Sequence, residues 1–180
     1  YLQVLWRSPE PAKPIASASA EHPRVSMANW MTDVERGAGP LLARVIVNRL
    51  WQHHMGQGIV GTPNDFGFQG DKPTHPELLD YLAGELVRGG WKLKPLHRAI
   101  LLSETYQQSH EVNAENLAID PANRFLWHYQ PHRLEAETIR DALLAVGGNV
   151  DGTMYGPSVL DNTQRRSVYL RVKRSELLPV

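Results

Sequence analysis

Three stretches between Ala43 and Ser109 do most to restrict the possible folds: ARVIVNRLWQHHMG, THPELLDYLAGEL and GWKLKPLHRAILLSETYQQS. Each carries apolar residues at three- and four-residue intervals, the spacing that gathers side chains on one face of an α-helix. Glycine and proline separate the three, so they read as distinct helices in close succession. Helices with apolar stripes must bury them against one another, which points to a bundle.

In the first stretch Leu42, Val45, Ile46, Leu50 and Trp51 make the apolar face of a helix predicted over 41–55, with Arg44, Asn48 and Gln52 as its polar stripe. Residues 56–73 hold five glycines and two prolines, which predicts a long irregular loop. Phe66 and Phe68 are expected to anchor that loop against the first helix. Thr74 followed by Glu77 reads as a capping box, with Pro76 in the first turn. The second helix buries Leu78, Leu79, Leu82, Leu86 and Val87 and stops at Gly89–Gly90. A third is predicted from Pro95 to Gln108 over Leu96, Ile100, Leu101 and Tyr106. A fourth spans Arg133–Val146, with Ala136, Ile139, Leu143 and Val146 inward and Gly147–Gly148 as its stop.

A short helix through Trp30 and Val34, capped by Ser26 or Asn29, precedes these. Residues 109–131 read as irregular, with Phe125, Leu126 and Trp127 docking on apolar surface. Val168, Leu170 and Val172 alternate with Tyr169, Arg171 and Lys173, the pattern of a strand. The fold class is therefore mainly α: a compact bundle of about four to five helices with long Gly/Pro loops and a short C-terminal β element. Residues 1–25 read as a linker or loosely attached arm, because 7–25 are rich in Pro, Ala and Ser without apolar period; residues 26–180 form the helical domain.

Composition narrows function mainly by exclusion. Nineteen basic and nineteen acidic residues give zero formal net charge, so no general attraction to nucleic acid is expected. No apolar run approaches the roughly 18 residues that insertion into a bilayer requires. With no cysteine, the chain has no disulfides, no thiolate zinc site and no haem attachment of its own. No metal or other cofactor is expected in it.

Several motif lookalikes lack their context. Asp65–Phe66–Gly67 spells a kinase metal-binding triplet without the catalytic loop or Gly-rich loop it needs. The eight histidines offer raw material for a site. However, His53 and His54 point about a hundred degrees apart on a helix, and Pro131 interrupts the His128–His132 pair. Structural histidines account for this spacing better than metal ligands do. Glu135 borders the apolar stripe of the fourth helix, where a buried carboxylate needs an arginine. Arg44, Arg49 or Arg166 is the expected partner, as a tether between elements; a general acid or base is the rival role. Arg165, Arg166, Arg171, Lys173 and Arg174 make the C-terminal segment basic, which protection of an edge strand explains without nucleic acid.

Taken in order, ANWMTD at 28–33, the three stretches above, RLEAETIRDALLAVGG at 133–148, GPSV and RRSVYL resemble one family over residues 27–180. It is a planctomycete-type domain of unknown function found C-terminal to cytochrome-c-like domains in exported proteins. The resemblance implies an extracytoplasmic location and partners that are other domains of the same polypeptide, one of them bearing haem c. The family pattern continues past RRSVYL, so the domain is expected to be cut short at its C-terminus. No catalytic residues transfer.

Two readings follow. One is a non-catalytic assembly or ligand-binding module of a secreted, cytochrome-c-associated protein. The other is a hydrolase-type domain acting on an extracellular polymer such as carbohydrate, with Glu135, Asp65 and His132 in the chemistry. A redox-partner surface carrying Trp51, Trp91 and Trp127 beside a neighbouring haem is a third.

Overall fold

The computed structural model describes residues 22–160 and 163–171. Most of the expected arm, and the end of the expected strand at Val172 and Lys173, lie outside them. The chain divides into two compact units, Tyr1–Pro131 and His132–Val180, at a point no composition shift marks.

In the first unit run α1 (Pro23–Thr32), α2 (Gly39–Met55), α3 (Pro76–Arg88), α4 (Leu93–Leu101), α5 (Glu104–Gln107) and α6 (Ala114–Ile119). Pro40 lies in the first turn of α2, where its missing N–H costs nothing, and Gly56 ends the helix at φ 81°, a conformation that favours glycine. Helices α2 and α3 make the principal contact, and α4 packs on both. Their shared core joins Val47, Leu50 and Trp51 of α2 to Leu79, Leu82 and Leu86 of α3 and Leu96 and Ile100 of α4.

The 56–73 loop is built into this core, though not by the pair of rings expected. Ile59 and Val60 are each 2% exposed, while Phe66 is only partly buried and Phe68 is fully exposed. The apolar pair that earns burial is aliphatic and sits next to α2, because Asn48 holds the backbone of Val60 there. Asn48 is fully buried rather than part of a solvent stripe.

Other boundaries shift for local reasons. Thr74 does not cap α3; its N–H and hydroxyl both donate to the Ile59 carbonyl, and His75 takes the cap position with no side-chain bond to the helix N–H groups. The expected 95–108 helix breaks after Leu101, since Ser103 caps a separate turn by accepting from the Tyr106 N–H. Within 109–131, Asn113 caps α6 by accepting from Glu115 and Asn116, an Asn signal the apolar period did not reveal.

In the second unit α7 (Ala136–Val146) is followed by a 3-10 turn, Ser167–Tyr169. Where a strand was expected, the described residues form isolated bridges instead, Asp151 with Arg165 and Val159 with Leu170. Leu143 and Val146 of α7 are exposed, 70% and 90%. The residues α7 half-buries are Arg140, Asp141 and Leu144, and the first two carry its polar contacts. Arg140 donates to the carbonyls of Arg165 and Thr163, and Asp141 Oδ1 accepts from both the N–H and the hydroxyl of Ser167, each at 2.7 Å. Arg165 binds carbonyls rather than guarding an edge: it donates to those of Thr153 and Tyr155 and stacks on Tyr169, 4.0 Å from the ring centre.

Candidate functional site

A polar cleft of about 280 Å³ opens in the first unit, lined by residues from the loop after α2, the start of α3 and the 122–126 segment. Its lining combines charge, amide and apolar surface. Asp71, Lys72, His75 and Arg124 supply ionisable groups and Gln57 an amide, while Trp51, Ile59 and Leu126 supply apolar area.

Both irregular segments are held rigidly. Thr62 accepts from the Asp71 N–H at 2.9 Å and donates to the Asp65 carbonyl at 2.8 Å, closing the first loop on itself. In the second, buried Asp120 accepts from the Phe125 N–H at 2.8 Å, and its carbonyl receives the Trp127 indole N–H at 3.0 Å. Buried Asn123 accepts from the Trp127 N–H and donates to the His128 carbonyl. These bonds hold Asn123 and Leu126 at φ 51° and 55°, a region that non-glycine residues seldom occupy. Strain kept in place by its surroundings collects at sites that bind or react.

Against that fixed frame three charged side chains of the lining make no hydrogen bond or ion pair among the described residues. Lys72 and Arg124 form no ion pair among the described residues, nor does Asp71. His75 is partly committed, with Nδ1 3.0 Å from the Thr74 hydroxyl and its ring edge-on to exposed Phe125.

A second cluster in the same unit is aromatic. His54 Nε2 of α2 lies 2.8 Å from His97 Nδ1 of α4, a bond in which one ring donates and the other accepts. The ladder continues by edge contacts from His54 to Tyr106 and from Tyr106 to Tyr129. Burial lowers the affinity of His54 for a proton, and the nearby His97 and His53 lower it further. Burial raises the Tyr129 hydroxyl, and its bond to Tyr106 adds to that. Both rings are therefore held neutral near pH 7. Among the described residues no group of three or more His, Asp or Glu is arranged to hold a metal.

The residues singled out in the sequence do not meet in one place. Asp65 makes a local turn, its Oδ1 accepting from the Gly67 N–H at 2.8 Å. Glu135 occupies the N-cap position of α7, exposed and without an ion pair among the described residues, so the arginine tether expected for it is not formed. The helix begins at Ala136, three residues later than the expected start at Arg133, and its cap position faces solvent. Each candidate arginine is engaged elsewhere: Arg44 with Asp80 at 2.6 Å, Arg49 with Asn64 at 3.0 Å, and Arg166 with Asp141 at 3.7 Å. His132 is exposed at the start of the second unit, whereas Asp65 belongs to the first.

Sequence reasoning passed over Asp71, Lys72 and Arg124, because isolated charges in Gly/Pro-rich loops look like solubilising residues. The usable signal was the length of the 56–73 loop itself, since loops of that size in compact domains tend to be functional.

The model of the family described as protein of unknown function (DUF1553), PSD1, covers residues 23–180, and the chain belongs to that family. No curated protein and no solved structure matches it.

Proposed function

We propose that this DUF1553 domain is a non-catalytic ligand-binding module whose site is the cleft between the 57–61, 71–75 and 122–126 segments. The observation that carries the reading is the contrast within the cleft. Its backbone is locked by side-chain bonds and strained at Leu126, while Lys72, Asp71 and Arg124 remain unengaged. A preorganised frame with uncommitted polar groups lowers the ordering cost of binding. Binding without turnover is favoured because the Asp65 carboxylate is used in a turn and His75 Nδ1 by Thr74. On the resemblance given above, the module sits in an exported, extracytoplasmic polypeptide beside a haem-c domain, so its other partners are domains of its own chain.

A hydrolase reading keeps one specific support, the presence of Asp71 and His75 in the same cleft. One experiment separates the two. Amide resonances of 57–61, 71–75 and 122–126 are followed while small polar compounds and short oligosaccharides are added, and each compound is recovered afterwards. Saturable shifts confined to those segments, with the compound unchanged, support the module. Cleavage that is lost in Asp71→Asn moves the assignment to the hydrolase. A cleft that responds to nothing, with shifts elsewhere, ends both.

A further inference from the structure

Resting on that reading, we infer that the cleft takes a hydroxylated carboxylate about one sugar ring in size, of the uronate type. Size comes first. At about 280 Å³ the cavity sits at the small end of ligand pockets, which run from roughly 300 to 1,000 Å³, so a single ring or short acid fills it.

Charge comes next. Lys72 and Arg124 against Asp71 leave one positive charge in surplus. Arginine presents a planar fork that matches a carboxylate in two parallel bonds, and lysine adds a point charge. Asp71 decides against a bare inorganic anion. An ionised carboxylate only accepts hydrogen bonds, so it repels sulfate or phosphate but receives hydroxyl groups. A ligand satisfying all three side chains carries an acid group for the cations and hydroxyls for Asp71 and Gln57.

The apolar share of the lining completes the match. Trp51 and Ile59 are only 5% and 2% exposed, so half-buried Leu126 is the apolar side chain open to a ligand, and it suits the C–H face of a sugar ring better than a strongly hydrated polyanion. The same chemistry could arrive as a free sugar acid or as the end of an acidic polysaccharide.

The test is calorimetric titration of the full chain at low salt with galacturonate, galactose, sodium sulfate and trigalacturonate. Galacturonate should bind at least about tenfold more tightly than galactose, the scale of one charged hydrogen bond. Arg124→Gln should remove that preference while leaving galactose unaffected. Asp71→Asn should strengthen sulfate and narrow the preference for galacturonate over it. Both charged side chains are exposed, and an unchanged melting temperature in the variants controls for folding. A trimer that binds more tightly than the monomer assigns the ligand to a polymer; equal affinities assign it to the free acid. Galactose binding as tightly as galacturonate overturns the acid inference and leaves the ligand-binding reading intact. Sulfate binding as tightly as galacturonate and indifferent to Asp71→Asn also overturns it. If none of the four probes binds while other compounds shift the cleft amides, the inference fails alone; if nothing shifts them, both fail.

Discussion

Asn48 on α2 and Val60 in the following loop are joined by two hydrogen bonds: Asn48 Oδ1 accepts from the Val60 N–H at 2.8 Å, and its Nδ2 donates to the Val60 carbonyl at 3.0 Å. The amide reproduces, with a side chain, the pairing that a neighbouring strand would give. It lets a buried stretch of loop satisfy its backbone without secondary structure. Position 58 must then be small, because a Cβ there would lie 2.6 Å from the Val60 oxygen and 2.8 Å from Asn48 Nδ2.

Replacing Asn48 with alanine leaves a buried donor and a buried acceptor unsatisfied. The expected loss is about 3 kcal/mol in denaturant unfolding. Gly58→Ala should be destabilising for a different reason, overpacking, by about 1–3 kcal/mol. Stability within half a kcal/mol of the parent in both variants would contradict this account of the loop.

The two loop phenylalanines should separate cleanly. Phe66 packs against the core, so Phe66→Ala should cost on the order of 1–2 kcal/mol, below the 3–5 of a fully buried ring. Phe68 is fully exposed, and its alanine variant should lie within about 0.5 kcal/mol of the parent. Equal losses would place both rings in the core.

Acidification should weaken the first unit through His54. Its proton affinity is lowered on folding, so the unfolded chain binds the proton more readily. Stability is therefore fully present above the unfolded value of about 6.5 and declines as pH falls below it, levelling once the folded form also titrates. Melting temperatures measured from pH 8 to pH 5 should show this decline, and His54→Gln should flatten it. A slope unchanged by the substitution would show that another group carries it.

In the second unit the anchor is Asp141 with Ser167. Burial alone would raise the Asp141 carboxyl, but the Ser167 hydroxyl and N–H, with Arg166 and Arg140, outweigh it and hold the carboxyl below its usual range. The stabilisation is thus present above the unfolded value near 4 and is lost as pH falls through the folded one. Ser167→Ala should cost about 1–2 kcal/mol at neutral pH, read as faster hydrogen exchange at 167–170. No difference from the parent at pH 7 would remove the anchor role.

Glu135→Gln should be silent. The side chain is exposed at a cap position and makes no ion pair among the described residues, so the change should stay within about 0.5 kcal/mol. A loss above 2 kcal/mol would restore the tether.

Local spacing alone sets the helices that carry an apolar period. Leu79, Leu82 and Leu86 on one face of α3, the glycine stops, and the order of α2, α3 and α4 all follow from local spacing, because a helix buries what its 3.6-residue repeat aligns. Tertiary structure decided what period cannot express. Asn48 falls in line with Arg44 and Gln52 and reads as surface, yet the approach of Val60 makes it the buried member of the three. The cleft brings Lys72 and Arg124, more than fifty residues apart, into one lining through turns fixed by Thr62, Asp120 and Asn123. In α7 the stripe of Leu143 and Val146 stays exposed, because the described contacts of that helix run through Arg140 and Asp141 to the backbone near Ser167. Hydrogen bonds between distant backbone and side-chain groups leave no repeat in a sequence, so only the folded chain reveals them.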